Sequence, residues 1–135
     1  MNYKNEFFVS LKISDFDCSH ETITKILQLK PTKVHNKGDL VTPKSIRKFK
    51  ENIWVLKLQQ NNISEVEILL NKLINILKNK KNKFFNLPKS SYIEISIVGY
   101  LENGMPSLHF DYKHIAFIHS IKAEIDIDLY NMQDS

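Results

Sequence analysis

The chain has 135 residues, the length of one domain (1–135), and its 42% hydrophobic and 25% charged residues are ordinary for a globular protein. Cys18 is the only cysteine, which excludes an internal disulfide, and no apolar run approaches the ~20 residues of a transmembrane helix. Because Met1 to Glu6 lacks the basic-then-apolar layout of a signal peptide, we expect a cytoplasmic protein without a membrane partner.

The net charge of +4 is distributed unevenly along the chain. Residues 25–89 contain 15 Lys and Arg against four Asp and Glu, whereas residues 90–135 contain two against seven. Either these two regions attract each other within the fold, or they form two surface patches for charged partners.

The first half of the chain shows two strand patterns around one helix pattern. A first strand is predicted by the alternating apolar residues Phe7, Val9, Leu11 and Ile13. Ser19 is a suitable N-cap for a short helix that Pro31 limits. Residues 40–51 are irregular and predict an exposed loop, and alternation resumes over residues 52–59, which predicts a strand containing Trp54.

The stretch from Ser64 to Lys80 is predicted to be the longest helix. Ser64 and Glu67 have the spacing of a capping box. Its apolar residues recur at intervals of three and four and form one stripe: Ile63, Val66, Leu69, Leu70, Leu73, Ile74 and Leu77. Such a helix is long enough to cover one face of a small sheet.

The C-terminal part begins with a long strand pattern, Tyr92 to Leu101. Asn103-Gly104 is a hairpin signal, so residues 107–110 are predicted to return as a strand. Asp111 is expected to cap a third helix with an apolar face formed by Ile115, Phe117, Ile118 and Ile121.

The last strand pattern, Glu124 to Tyr130, alternates apolar residues with Glu124, Asp126 and Asp128. The whole order of elements predicts an α+β fold, namely a ferredoxin-like two-layer sandwich. We expect a mainly antiparallel sheet of about five or six strands and three helices.

The ionisable residues do not form a recognisable catalytic or metal-binding pattern. His109, His114 and His119 recur every five residues, which separates them around a helix instead of placing them on one face. The spacing of the three glycines fits no phosphate-binding loop. The sequence also indicates no His or Asp that would activate Cys18 as a nucleophile. We therefore predict that the protein is not an enzyme and has no metal site and no cofactor.

The acidic residues of the last strand pattern can in principle bind a hard cation. A solvated sheet face, which Glu94 would share, or pairing with the lysine-rich middle of the chain explains them better.

Basic residues are concentrated between Lys33 and Lys50. With Phe49 and Trp54 nearby, they suit phosphate contacts beside stacking rings. Trp54 alternates with Leu56 and Leu58, however, which favours a position in the core.

Several short motifs occur in the order seen in a known family. They are Phe8-Val9-Ser10-Leu11-Lys12-Ile13, Ile23-Thr24, Leu27-Gln28-Leu29-Lys30-Pro31-Thr32, Lys37-Gly38-Asp39, a strand with Trp54, and Ile125-Asp126-Ile127-Asp128-Leu129-Tyr130. This series resembles the bacterial domain of unknown function family 4279 over nearly the whole chain. The resemblance implies a fold but no activity, and the lysine-rich loop between Asp39 and Trp54 departs from the family pattern.

We expect a non-catalytic protein-binding module, for example a bacterial immunity protein that neutralises a toxin. Small size, missing catalytic groups and two patches of opposite charge suit electrostatically steered capture of a protein. The alternative is binding of nucleic acid or a phosphate ligand through the basic loop. The candidate binding residues are Thr32, Lys37, Asp39, Lys44, Arg47, Lys48, Lys50, Trp54, Asp128 and Tyr130.

Overall fold

A computed structural model describes residues 5–59 and 65–132 of the chain. Five strands and three α-helices form within these ranges: β1 (Glu6–Ser14), α1 (His20–Leu27), β2 (Lys33–His35), β3 (Ile53–Leu58), α2 (Val66–Leu77), β4 (Tyr92–Leu101), α3 (Tyr112–Ser120) and β5 (Glu124–Asn131). A 3₁₀ segment, Lys78–Asn86, directly follows α2. None of the helices in these ranges has the length and apolarity needed to cross a membrane.

The five strands form one sheet in the order β2-β3-β1-β4-β5. β1 lies in the centre, where Leu11 pairs with Leu56 of β3 and with Ile95 of β4, both antiparallel. Only β4 and β5 are parallel, because α3 carries the chain back to the same end of the sheet between them. This mainly antiparallel sheet with three helices confirms the predicted α+β class and is consistent with the predicted ferredoxin-like character.

The core lies between one face of the sheet and the helices. The inward residues of β1 have at most 2% of their surface exposed, and α2 buries the predicted apolar stripe against them: Val66, Leu69, Leu70, Leu73 and Leu77. Burial of each such side chain contributes roughly 1.5–3 kcal/mol to stability. Ile23 and Leu27 of α1, together with Ile118 of α3, complete the same core, so all three helices pack on one face.

The predicted helix caps are present at α1 and α3. The Ser19 hydroxyl accepts a hydrogen bond from the Thr22 amide at 3.2 Å. The Asp111 carboxylate accepts from the amides of Lys113 and His114, each at 2.9 Å. These bonds satisfy amides that have no partner inside the helix.

The predicted strand at residues 107–110 is wrong. These residues have no regular secondary structure. Both edges of β4 are already paired, one with β1 and the other with β5, so no edge remains for a hairpin partner after Asn103-Gly104.

Two helix details differ from the sequence-based expectation. The helix α2 begins at Val66, ends at Leu77 and gives way to 3₁₀ geometry, while the predicted start at Ser64 lies outside the described residues. In α3 the predicted inward residue Ile115 is 55% exposed, whereas His114 is only 3% exposed. His114 and Ile118 are four residues apart, and they therefore share the inward stripe of the helix.

Candidate binding surface on the open sheet face

Packing of all three helices on one side leaves the opposite face of the sheet without a helix in the described ranges. We call this the open face. The strand register places these residues on it: Lys33 and His35 of β2, Val55 and Lys57 of β3, Phe8 and Lys12 of β1, Glu94 and Tyr100 of β4, and Asp126 and Tyr130 of β5. A surface built on five strands presents its side chains from a rigid support.

Four carboxylates occupy the β4–β5 half of the open face, and we call Glu94, Glu124, Asp126 and Asp128 the acidic row. Glu94 is directly opposite Glu124 in the register, which confirms that it shares the face of the acidic residues in the last strand. Within the described residues, none of the ion pairs shorter than 4.0 Å involves the acidic row. Like charges on adjacent strands destabilise a sheet, and Lys12 of β1, which lies opposite Glu94 in the register, offsets only part of this repulsion.

Two titrating groups in this half of the face have raised pKa values. Burial raises the pKa of Glu94, and the neighbouring Asp126 carboxylate raises it further, although Lys12 acts in the opposite direction. At the rim of the row, a hydrogen bond to the Glu124 carboxylate raises the pKa of the Tyr92 hydroxyl to about 12. Both shifts show that additional negative charge is unfavourable on this part of the face.

Three aromatic rings lie on the open face next to the acidic row. We call Phe8, Tyr100 and Tyr130 the aromatic cluster. Tyr100 and Tyr130 are stacked with ring centroids 5.5 Å apart, and Phe8 meets Tyr100 edge-on at 5.9 Å. The Lys57 ammonium lies 4.1 Å from the centre of the Phe8 ring. Tyr130 is 50% exposed, so the cluster offers apolar surface beside the carboxylates.

The other half of the open face is basic. Lys33, Lys57 and Lys12 come from β2, β3 and β1, on the opposite side of the sheet from β5. Burial, followed by the charges of Lys33 and Lys12, lowers the pKa of His35. The open face therefore has a basic half and an acidic half.

The basic loop, residues 36–52, extends from the basic edge of the sheet between β2 and β3. Its two backbone segments are held together by hydrogen bonds, including Gly38 amide to Phe49 carbonyl at 2.9 Å and Val41 amide to Arg47 carbonyl at 2.9 Å. Phe49 stacks on His35 with ring centroids 4.2 Å apart. The five cationic side chains predicted on this loop are all exposed: Lys37, Lys44, Arg47, Lys48 and Lys50.

Several candidate residues have evident structural partners. The Thr32 hydroxyl donates to the Val55 carbonyl at 3.2 Å and accepts from the Lys57 amide at 2.9 Å, which continues the pairing beyond β2. The Asp39 carboxylate accepts from the Asn36 amide at 3.2 Å, within the turn at the base of the loop.

Trp54 is completely buried and is therefore not a surface residue. Its indole N–H donates to the Thr24 hydroxyl at 3.0 Å. Asp128 and Tyr130 lie together on the open face, but β1 and β4 separate them from the basic loop. The candidate residues thus fall into two groups at opposite edges of the sheet.

A further group of ionisable residues lies at the start of α3. The possible ligand atoms of Glu67, Asp111 and His114 are within 4.8 Å of one another. The Asp111 amide donates to His114 Nδ1 at 3.1 Å, so Nε2 carries the proton and donates to the Asn71 side-chain oxygen at 2.6 Å. Both imidazole nitrogens have protein partners, and the backbone hydrogen bond from His114 lowers the pKa of Asp111. The group is typical of a helix start, and the absence of a metal site stays a prediction.

Of the aromatic cluster, Tyr130 was among the candidate residues predicted from sequence, whereas Phe8 and Tyr100 were not. Phe8 falls on the polar side of the first strand's alternation, which is a recognisable signal for an exposed ring. Its proximity to Tyr100 and Tyr130 depends on strand order, which periodicity does not reveal.

Comparison with known proteins agrees with the motif resemblance. The profile of the family described as a domain of unknown function, DUF4279, matches residues 5–132. No curated protein and no solved structure matches the chain.

Proposed function

The chain belongs to the DUF4279 family, and we propose that this member is a non-catalytic protein-binding module that captures a cationic protein on the acidic half of its open face. The observation that carries the proposal is the acidic row, whose four carboxylates have no ion pair within the described residues. A cationic partner would relieve this repulsion, because interfaces pair surfaces of complementary potential.

The geometry of the open face supports protein capture in two further ways. The aromatic cluster supplies the apolar contact area that dominates the energy of protein interfaces, with Tyr130 half exposed at its edge. The acidic row beside it supplies long-range attraction, which accelerates association with a cationic surface.

A bacterial immunity protein acting in the cytoplasm fits this description. Such a protein must bind one toxin quickly and tightly, without catalysing a reaction itself. A toxin that acts on nucleic acid presents a cationic surface to phosphates, and the acidic row is complementary to a surface of that kind.

Affinity capture from the native host tests the proposal. The tagged wild-type chain is compared with Asp126→Asn/Asp128→Asn, which removes two charges, and with Lys44→Gln/Lys48→Gln on the basic loop as the matched control. We expect one protein to be retained by the wild type and by the loop variant and lost by the acidic-row variant. Because the acidic-row variant removes repulsion, it should also melt at the same or a higher temperature than the wild type.

The second candidate function is binding of nucleic acid or a phosphate ligand by the basic loop. It is favoured by the exposure of all five cationic side chains and by the backbone bonds that hold them on one support. Such binding should fall steeply as salt rises, in proportion to the number of phosphates contacted. Recovery of nucleic acid alone, lost in Lys44→Gln/Lys48→Gln, would favour this function over protein capture.

A further inference from the structure

Within the described ranges, the strand β5 forms one edge of the sheet. Its eight residues pair with β4, and no strand in the described ranges pairs with the opposite edge. The other edge strand, β2, has only three residues. A long edge presents a row of backbone donors and acceptors to which another strand can bind.

The apolar side of β5 is also incompletely covered. Ile125 and Ile127 point to the same side as their β4 partners Ile95 and Ile97. Yet Ile125 and Ile127 are 41% and 38% exposed, whereas the two β4 residues are each 1% exposed. The helical layer therefore covers β4 and stops short of β5.

The other side of β5 carries three members of the acidic row, Glu124, Asp126 and Asp128. A strand added to this edge would place its alternate side chains next to these carboxylates and the remaining ones next to Ile125 and Ile127. The complementary segment alternates basic and apolar residues.

A second copy of this chain does not meet that requirement. Two-fold antiparallel pairing of β5 with itself, centred on Asp126, places Asp126 against Asp126 and Glu124 against Asp128. Like charges directly opposite each other destabilise a strand pair. The acidic residues on the edge thus oppose self-pairing and favour a strand of opposite charge.

We propose that β5 is the docking edge for an extended segment of a cationic protein, which pairs with β5 through its main chain as a sixth strand. Its basic side chains lie along the acidic row, and its apolar side chains extend the core beside Ile125 and Ile127. This inference rests on the proposed function and specifies how the cationic partner is held. Main-chain pairing supplies affinity, and the two faces of β5 select the sequence.

The probe is an eight-residue peptide of alternating lysine and valine, matched by a control peptide with four lysines followed by four valines. The two have the same charge and composition, but only the first can present opposite chemistry on its two faces. Binding is measured by fluorescence anisotropy, and hydrogen exchange of residues 124–131 is measured with and without peptide.

We expect the alternating peptide to bind about tenfold more tightly than the control peptide, since only it can form the cross-strand pairs. It should also slow amide exchange in β5. Asp126→Asn/Asp128→Asn and Ile125→Thr/Ile127→Thr should each weaken binding severalfold. Threonine is β-branched like isoleucine, so the Thr variants should keep β5 folded as a strand. Lys44→Gln on the basic loop is the control, and it should leave the affinity for the peptide unchanged.

Three results would overturn strand addition. Equal affinity for the two peptides, with no slower exchange in β5, would mean that the acidic row attracts cations without pairing, and the proposed function would stand. Failure of both peptides to bind, while the acidic row still captures the native partner, would mean that the partner is not held as an added strand, and the proposed function would again stand. If the wild-type chain also captured no protein partner, both proposals would be wrong. A stable dimer in sedimentation experiments, with protected β5 amides, would assign the edge to a second copy.

Discussion

Replacing Gly99 by alanine should destabilise the protein, although it adds only one methyl group. Gly99 lies in β4 between Phe7 of β1 and Leu129 of β5 in the strand register. A Cβ at this position would lie 2.8 Å from Phe7 Cε1 and 2.9 Å from Leu129 Cδ2. These distances are shorter than van der Waals contact, so the ring and the leucine must move by several tenths of an ångström.

The magnitude follows from two opposing effects. Overpacking of a well-packed core costs about 1–3 kcal/mol. Loss of glycine's freedom in the unfolded chain returns about 0.4–1 kcal/mol. The net loss is therefore about 1–2 kcal/mol, which lowers the melting temperature of a domain of this size by roughly 5 °C.

Thermal and urea unfolding of Gly99→Ala, Phe7→Leu and the double variant measure this effect. Phe7→Leu alone leaves a cavity, but together with Gly99→Ala the smaller side chain makes room for the new methyl group. The double variant should therefore be more stable than the sum of the two single changes predicts. Additive losses, or a Gly99→Ala variant as stable as the wild type, would refute the proposed collision.

Three further predictions concern the core and the open face. Leu70→Asp or Leu73→Asp should unfold the protein, because each leucine is completely buried and an unpaired buried charge costs several kcal/mol. A melting curve like that of the wild type would mean that the buried face of α2 is wrongly assigned. Trp54→Phe should cost about 2 kcal/mol in urea unfolding, since it removes both volume and the hydrogen bond to Thr24. Folding raises the pKa of Glu94 above its ordinary value of 4.5. The contribution of Glu94 to stability is therefore greatest below pH 4.5 and decreases as the pH rises through the raised pKa. Glu94→Gln should be more stable than the wild type at pH 7 but not at pH 4, as measured by urea unfolding at the two pH values.

Local patterns predicted the elements whose signals lie within a few residues. The strand over Tyr92 to Leu101 has the predicted bounds, because its inward and outward residues alternate without interruption. Ser19 and Asp111 were predicted as helix caps, since a capping side chain bonds to amides only two or three residues ahead.

Features that depend on strand order were not predictable in this way. Asn103-Gly104 is a sound local turn signal, yet β1 and β5 occupy both edges of β4 and exclude a returning strand. Alternation also put Ile125 and Ile127 on the apolar side of the last strand. It cannot show that β5 is an edge strand beyond the helical layer, where both residues remain about two-fifths exposed.

The candidate surface was predicted only in part. The acidic residues of the last strand share a face with Glu94, as alternation indicated. The aromatic cluster and the separation of Asp128 and Tyr130 from the basic loop depend on which strands are neighbours. The neighbours of each strand are determined by contacts between distant parts of the chain.

The central position of β1 has a consequence for how the chain folds. Val9 near the start pairs with Leu58 on one side and with Ile97 on the other. The middle of the sheet is thus closed by contacts of large sequence separation, which slow folding because a long loop must be ordered before they form. During synthesis β1 emerges from the ribosome before the other strands, but it has no partner on its β4 side until Tyr92–Leu101 has been made. Until then this edge of β1 needs protection from pairing with other chains.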